Sequence, residues 1–424
     1  MSIQQNFPAI TPSLSLNFAR SKTLDPRITF SRTSTATRVN EVGLIEVVSA
    51  DDPRFDHEYD SSTGAVKSLG LLVEEQRTNL ILYSVVSTAN WIVTGGQTPV
   101  SLSLNALGVF PGVRIASGGF VYDGVRHSNI TLTSGTTYTA TWYFRKGDVN
   151  PSNKFRAIIR DTAAARVTSF EKSSASTDYG DINSYSFSEN TDATTNFEIL
   201  SVDTLADGLT FKLCTKFTAS ASSGYRFMFQ TNSATVGETI IALGLQVEAG
   251  AFPTSYIPTS GSTVTRNPDN VSMTGTNFSD WYNQDAGTVY VSQKLRAVQD
   301  TTRNNLVYLI NGGGGNDYFY NPSRGNTNIF AFGDGGTNYS RFQDGTNSID
   351  TKTAFAYDVS GDDFKPYYNG IESTTETTTN TPSITSHTQL DIGATSGFKY
   401  CGHIQQFTYY PRRLTNTQLQ NLTK

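Results

Sequence analysis

The sequence predicts an all-β protein: two β-sandwich (jelly-roll) domains, an N-terminal strand-rich wrapping segment and one short C-terminal helix. Two observations lead to this prediction. Thr, Ser, Asn and Gly are abundant, whereas long stretches of helix-forming residues are scarce. Apolar and polar residues alternate over windows the length of a strand, and turn residues separate these windows at short intervals. An alternation with a period of two residues, typical of strands, therefore dominates the chain.

The length of 424 residues suggests two or three domains, since a domain usually takes ~100–200 residues. We predict a wrapping or docking segment over 1–84, a jelly roll over 85–265 and a second sandwich over 266–424. The main boundary falls in 253–270, where Pro, Ser, Thr and Gly interrupt the alternation.

The N-terminal segment contains apolar runs that are too short and too polar to make a sandwich alone. We expect it to wrap against the domain that follows and to lend it strands. The runs are Leu14–Phe18, Arg27–Phe30, Gly43–Val48 and Gly70–Val73.

The clearest strand of the middle region is Thr137–Lys146, which places Tyr138, Ala140, Trp142 and Phe144 on one face. Upstream, Asn129–Thr133 and the Ser-Gly pair after it predict a strand joined to this one by a tight turn. Further strands are predicted at Phe155–Ile159, Phe197–Leu200, Thr210–Leu213, Tyr225–Phe229 and Ile240–Val247.

The C-terminal region repeats this pattern and then ends differently. Strands are predicted at Gly287–Gln293, Leu306–Ile310, Asn328–Phe332, Thr353–Tyr357, Lys365–Tyr368, Gln389–Ile392 and Gly402–Tyr410. The last dozen residues predict a helix, because Thr415 and Gln418 have the spacing of a capping box ahead of Leu419 and Leu422.

Composition limits the classes of function. The net charge of −5 comes from scattered charges of both signs, so no nucleic acid partner is expected. Cys214 and Cys401 lie far apart and read as ordinary thiols, and neither a metal site nor a cofactor is predicted. No apolar window is long enough for membrane insertion, and the first residues lack the pattern of a leader, so we expect a soluble protein that is not exported.

Two adjacent acids, Glu74 and Glu75, raise the question of a glycosidase, which needs two carboxylates facing each other across a cleft. Neighbouring residues on a strand point to opposite faces, which disfavours that reading. The alternative is structural: an acid paired with Arg77, Arg32 or Arg38 would pin the N-terminal segment. Arg266 suggests the same role, because 259–267 echoes the sequence 32–40 that contains Arg38.

The histidines form no recognisable catalytic triad or metal spacing, so no catalytic residue is predicted. Aromatic residues beside amides are the candidates for binding a glycan or a partner, since sugars stack on exposed rings. Packing or subunit contact is the competing reading of these rings. The candidates, expected in exposed loops, are Trp281, Tyr282 and Asn283 in one group, and Asp317, Tyr318, Phe319, Tyr320 and Asn321 in another.

Two parts of the sequence resemble known families. The runs Leu24–Arg38, Pro53–Asp56 and Gly70–Leu80, with the exit Leu245–Pro258, resemble a module of bacteriophage tail and structural proteins that precedes a carbohydrate-binding-module-like jelly roll. The end of the chain, from Ala356 to Leu414, is similar to a concanavalin A-like, laminin-G-type sandwich.

These resemblances imply a non-catalytic virion structural protein, made in the host cytoplasm and carried on the surface of the particle. The first reading is a tail fibre or tail adhesin that binds host cell-surface glycan or neighbouring virion proteins. The alternative is a capsid decoration or head-fibre protein that serves assembly and particle stability. A glycan depolymerase is a third hypothesis. The family also implies a homo-oligomer, with a trimer as the expected form.

Overall fold

A computed structural model describes residues 8–150, 152, 154–162, 167–172, 178–190, 197–220, 222–296, 304–311, 318–324, 327–334, 337–344, 349–374, 376–379, 387–393 and 400–424. Within these ranges nearly all regular structure is strand, and every strand pairing is antiparallel. The prediction of an all-β fold is confirmed.

The elements follow the chain in three groups. The N-terminal group is β1 Leu14–Asn17, α1 Phe18–Ser21, β2 Thr29–Ser31, β3 Ala36–Val39, β4 Ile45–Val48, β5 Arg54–Asp60, β6 Ala65–Glu74 and β7 Arg77–Asn79. The middle group is β8 Ile92–Thr94, β9 Val100–Ser101, β10 Val113–Ala116, β11 Gly124–Arg126, β12 Ile130–Thr131, β13 Thr137–Lys146, β14 Phe155–Asp161, β15 Val167–Lys172, a 3-10 turn Ile182–Ser184, β16 Tyr185–Asn190, β17 Glu198–Thr204, β18 Thr210–Thr218, β19 Gly224–Gln230 and β20 Thr239–Ala249. The C-terminal group is β21 Val264–Arg266, β22 Asn270–Thr274, α2 Thr276–Ser279, β23 Ala286–Leu295, β24 Asn304–Asn311, β25 Tyr318–Arg324, β26 Thr327–Asp334, β27 Thr337–Asp344, β28 Asp350–Asp358, β29 Asp363–Tyr368, β30 Ile371–Glu372, β31 Glu376–Thr379, β32 Gln389–Ile392, β33 Cys401–Tyr410 and α3 Asn416–Thr423.

The first sandwich is built from the middle group. One sheet, named the inner sheet here, has the order β17-β18-β13-β20-β10-β9, and the facing sheet has the order β16-β15-β14-β19-β11-β8 with β12 against β19. Its core lies between the two sheets and contains the face predicted for β13, with Trp142 and Phe144 fully buried.

The two strands joined by the predicted tight turn are present, but the turn crosses between the sheets and the strands do not pair with each other. Ile130 of β12 pairs with Tyr225 in the facing sheet, whereas β13 pairs with β18 and β20 in the inner sheet. The physical reason is burial: Leu132 and Tyr138, on either side of the turn, both enter the same core from opposite sheets.

The second sandwich is formed mainly by the C-terminal group. One sheet has the order β30-β29-β28-β23-β33-β6-β5, with β1 also on β33, and the other has the order β2-β22-β32-β24-β25-β26-β27-β31. Helix α3 begins with the predicted capping box, since the Thr415 side chain accepts from Gln418 N while the Gln418 side chain accepts from Thr415 N. Leu419 is fully buried in a cluster on the outer face of β28.

Strands β1, β2, β5 and β6 of the N-terminal segment join this second sandwich, not the jelly roll that follows them in sequence. Strands β6 and β1 pair end to end along one edge of β33, and β2 pairs with β22. Leu16, Phe55 and Leu71 thereby enter the second core. The expectation that the strands join the following domain is wrong, because the apolar area they must cover lies on the C-terminal strands.

The outer face of the inner sheet is covered as well. Phe110, Tyr143 and Tyr256 pack their rings at centroid distances of 4.9 to 5.6 Å, and Ile45 of the β3–β4 hairpin lies in the same cluster. The hairpin, the exit of the first sandwich and the edge of the second sandwich therefore meet over this face.

Candidate functional site

A network of buried ion pairs lies where the N-terminal segment meets both sandwiches. Its centre is Arg54, at the first residue of β5, whose side chain is excluded from solvent. Its Nη1 donates to Glu74 Oε2 at 2.8 Å and to Ser255 Oγ at 2.8 Å, and its Nη2 pairs with Asp269. One guanidinium thus joins the segment to the exit of the jelly roll and to the entry of the second sandwich.

Glu74 is surrounded by cations. Arg266 Nη1 lies 2.8 Å from Oε2, and Arg296 Nε lies 3.1 Å from Oε1. Burial raises the pKa of the Glu74 carboxyl, but the charges of the neighbouring arginines outweigh burial and hold the pKa well below its ordinary value. The carboxyl is therefore an anion that stabilises the junction, and it is not a proton donor near neutral pH.

Asp269 carries the network into the second sandwich. Arg32 Nη1 donates to its Oδ1 at 2.9 Å, and both side chains are fully buried. The backbone N–H of Glu74 donates to Asp269 Oδ2 at 2.8 Å. Burial lowers the pKa of Arg54, yet Asp269 and Glu74 raise it above its ordinary value, so the guanidinium stays charged.

The second acid of the adjacent pair has its own partner. Glu75 Oε1 lies 2.8 Å from Arg77 Nη2, and the Arg77 guanidinium stacks over the Phe252 ring at 4.9 Å. Gly250 makes this possible, since a β-carbon there would lie 1.6 Å from Arg77 Nη1. Strand β6 ends at Glu74, and the two acids take separate arginines on either side of that end.

The exit of the jelly roll is held by amides and hydroxyls. Asn79 Nδ2 donates to the Ile257 carbonyl at 2.8 Å, while Gln246 Oε1 accepts from Ile257 N at 2.6 Å. Ser255 N and Oγ donate to the Glu74 carboxylate at 2.9 and 2.6 Å. The echoed sequences also touch, because Asn267 N donates to Ser34 Oγ at 2.8 Å. Arg38, by contrast, pairs with Glu46 at the half-exposed rim.

A cavity of about 350 Å³ adjoins this network, between the inner sheet, the β3–β4 hairpin and the edge of the second sandwich. Asp56, His57 and His403 line it, with Arg296. Asp56 pairs with Gly70 and His57 with Ser68, so Leu69 of β6 is the extra residue of a bulge at this point. Asp56 and His57 are both buried, and Gly70 has φ of +89°.

The cavity wall holds two histidines with different partners. His403 Nε2 lies 2.8 Å from Asp56 Oδ2, and Arg296 Nη2 lies 3.4 Å from the same oxygen. Burial lowers the pKa of His403 although Asp56 opposes this effect. His57 Nδ1 contacts the Val39 carbonyl at 3.1 Å, while its Nε2 has no hydrogen-bond partner among the described residues. The cations of the wall are paired with acids, and apolar side chains such as Leu69, Leu107 and Tyr143 make up much of the rest of the lining.

The first predicted group of glycan-binding aromatics is not exposed, and that expectation is wrong. Trp281 and Tyr282 are only 3% and 9% exposed, because their rings pack against Phe278 and Tyr409 in the second core. Asn283 donates through Nδ2 to the Pro411 carbonyl at 3.2 Å and also accepts from Asp285 N. Rings in this turn pack inward because the turn closes one end of the sandwich.

The second predicted group is described only in part. Tyr318, Phe319, Tyr320 and Asn321 belong to strand β25, which pairs with β24 and β26, so their assignment to a loop is wrong. Asp317 lies outside the described residues.

Residues that the sequence did not single out carry most of the junction: Arg54, Asp56, Asp269, Arg296 and His403. One signal was available, because a charged residue at an inward position of an alternating strand must find a partner. Asp269 gave no such signal, since it lies in the polar stretch that we interpreted as the boundary between the two sandwiches.

Among the described residues, no helix is long and apolar enough to cross a membrane. Over the same ranges, no group of three or more His, Cys, Asp or Glu side chains is arranged to hold a metal ion.

Comparisons with known proteins give only distant neighbours. No family model and no curated relative matches the sequence. Similar solved structures include the CBM40 module of the Ruminococcus gnavus IT-sialidase bound to alpha2,6 sialyllactose (17% identity, TM-score 0.28, 34% of this chain and 85% of that one). Others are the NanB sialidase of Streptococcus pneumoniae (18%, 0.29, 36% and 26%) and domains LG4-5 of the mouse laminin alpha1 chain (8%, 0.24, 77% and 96%). At such low identities and TM-scores, the neighbours' ligands do not bear on this chain.

Proposed function

We propose that the chain is a non-catalytic structural and adhesive protein of a bacteriophage particle, acting as a tail fibre or tail adhesin. The observation that carries the proposal is the fully buried Arg54–Glu74–Asp269 network. Its members come from the runs that resemble the phage module and from the start of the second sandwich. A particle protein must hold its parts in fixed orientation, and a network shared by all three regions provides that.

Buried charges suit this role better than catalysis. A glycoside hydrolase needs a carboxylic acid that keeps its proton near neutral pH, opposite a second carboxylate. Burial raises the pKa of both Glu74 and Asp56, but the neighbouring arginines of Glu74, and His403 and Arg296 together beside Asp56, bring each pKa below its ordinary value. Both carboxylates are therefore engaged in ion pairs.

The depolymerase reading has one feature in its favour within the described ranges. Burial raises the pKa of Asp391, whose carboxylate accepts from Asn311 Nδ2 at 3.0 Å and from Gln389 Nε2 at 2.8 Å. Incubating the chain and its Asp391→Asn variant with host polysaccharide tests this reading. Shortened products from the parent chain alone would overturn the non-catalytic proposal.

The location of the protein on the particle distinguishes a tail adhesin from a capsid decoration or head-fibre protein. Immunogold labelling of intact particles is expected to mark the tail, with host surface glycan or neighbouring virion proteins as partners. Label confined to the capsid would replace the adhesin with a decoration or head-fibre protein that serves assembly and stability. Light scattering of the purified chain tests the proposed homotrimer.

Adhesion itself is tested by binding to immobilised host polysaccharide. Several weak sites on one oligomer reinforce each other, so binding is expected to be much stronger on a dense surface than in solution. Absence of binding at high surface density would contradict the adhesin and leave a structural role.

A further inference from the structure

The loop between β10 and β11 presents two aromatic rings to solvent. Phe120 and Tyr122 are 51% and 52% exposed. Their centroids lie 5.5 Å apart with 19° between the ring planes, so the rings are stacked on each other. Rings of this size are normally buried in a core, because leaving them in water forfeits a large apolar contribution.

The loop that carries the rings is fixed by a buried carboxylate. Asp123 is fully buried, and its Oδ2 accepts from Gly118 N at 2.6 Å and from Phe120 N at 3.4 Å. Its Oδ1 accepts from Gly96 N at 3.0 Å in the preceding β8–β9 connection. A carboxylate that satisfies three backbone donors holds the loop in one conformation.

The rest of the loop is tied to the facing sheet. The Tyr122 carbonyl accepts from Gln230 Nε2 at 3.1 Å and from Thr94 Oγ1 at 3.2 Å. Thr231 N donates to the Asp123 carbonyl at 3.0 Å. The rings are therefore presented before any ligand arrives, which reduces the conformational entropy lost on binding.

Polar and apolar side chains lie beside the glycines of this loop. Val236 is 74% exposed, and a β-carbon on Gly119 would lie 3.4 Å from its Cγ2. The Gln97 amide lies against Gly118 on the other side, at 2.6 Å from the position of a β-carbon there. Gln230 Oε1 is buried and has no hydrogen-bond partner among the described residues. The exposed faces of this stacked pair, with the Gln97 amide close to the loop backbone, give the combination of aromatic surface and amide that sugar binding uses.

We propose that Phe120 and Tyr122 form a stacking platform for a β-linked pyranose chain. Such a sugar has equatorial hydroxyls and C–H faces, so it can lie on a ring while its hydroxyls reach amides at the edge. This assignment rests on the proposed glycan-binding role and narrows it to one loop of the first sandwich. The loop lies outside both groups of aromatics that the sequence singled out.

The test is an NMR titration of the full chain with the β-1,4-linked glucose tetrasaccharide. A Phe120→Leu/Tyr122→Leu variant keeps an apolar surface but removes the rings, and binding is expected to weaken about tenfold. A Phe120→Trp/Tyr122→Trp variant keeps flat rings and is expected to bind at least as well as the parent. Ile371→Ala is the matched control, since Ile371 is 70% exposed in the second sandwich.

Three results would overturn the platform. Two of them are no saturable binding of the tetrasaccharide by the parent chain and equal binding by the leucine variant. A third is self-association, seen by light scattering as a mass that falls in both the leucine and the tryptophan variants without any effect of sugar. Host polysaccharide binding is measured in parallel. A leucine variant that binds that polysaccharide like the parent refutes the platform alone, whereas a parent chain that does not bind it refutes the adhesin.

Discussion

Arg54 Nη1 and Glu74 Oε2 lie 2.8 Å apart on neighbouring strands of the N-terminal segment, and neither side chain is exposed to solvent. Transferring both charges from water is costly, so this pair is stable only because each ion has further partners. Arg54 also bonds Asp269, and Glu74 also bonds Arg266. The junction depends on the completeness of the network, not on one contact.

Glu74→Gln should therefore destabilise the protein strongly. The amide has the same shape but leaves the neighbouring arginines without their shared anion, which costs about 3–5 kcal/mol for a buried pair. Glu46→Gln is the control, because the Arg38–Glu46 pair is 26% and 36% exposed and should change stability by at most about 1 kcal/mol. Urea unfolding of both variants measures the difference, and equal midpoints would contradict the role of the network.

Gly70→Ala should disrupt the bulge beside the cavity. A β-carbon at Gly70 would lie 2.3 Å from the Ile404 carbonyl oxygen, in addition to the strain of φ at +89°. We expect a loss of at least about 3 kcal/mol. Gly64 has φ of +69° but no atom nearer than 4.0 Å, so Gly64→Ala should cost only about 1 kcal/mol. Thermal unfolding of both variants compares them, and similar costs would show that the overlap at Gly70 is relieved.

Acid should destabilise the fold in two steps. Burial lowers the pKa of His403 below its ordinary 6.5, so below that pH the unfolded chain takes up a proton that the native protein does not. Stability therefore falls as pH drops below 6.5. It falls again below about 4.5, where protonation of Glu74 and Asp56 favours the unfolded chain because both pKa values are lowered in the native state.

The first step is tested with His403→Gln, which can still donate to Asp56 but cannot titrate. Denaturant midpoints measured between pH 7 and pH 5 should depend less on pH in this variant than in the parent. Some dependence should remain, since burial also lowers the pKa of His127. An unchanged slope would show that His403 is not the group responsible.

The two sandwiches should differ in their ability to fold when each is produced as a separate fragment. The fragment 266–424 lacks Leu71, Val73 and Phe55, which complete the second core, and should give a poorly dispersed NMR spectrum. The fragment 85–265 contains nearly all of the first core and should unfold cooperatively. A well-folded 266–424 fragment would contradict the dependence of the second sandwich on the N-terminal strands.

The reactivity of the two cysteine thiols should report unfolding of the protein. Cys214 and Cys401 are both buried, and burial raises the pKa of each thiol above its ordinary value. Neither is expected to react with a thiol reagent at neutral pH until denaturant unfolds the sandwich around it. Rapid labelling of the native protein at either cysteine would contradict the burial described here.

Local features of this protein are predictable from its sequence. The alternation in 137–146 predicts both the bounds of β13 and the face that it turns to the core of the first sandwich, because side chains on a strand alternate whatever the neighbours are. The capping box of α3 is equally local, since Thr415 and Gln418 satisfy each other's backbone. The pairing of Glu75 with Arg77 is also local, since only one residue separates the two.

Tertiary structure alone decided which partners these elements take. Strand periodicity specifies two faces but not the edge a strand joins, so nothing local says that β1 and β6 pair with β33. Likewise, Trp281 is buried because distant strands close over its turn, and Asp269 meets Glu74 across 195 positions of sequence. Contacts of that range depend on apolar area and charge brought together by the whole chain, which no short window contains.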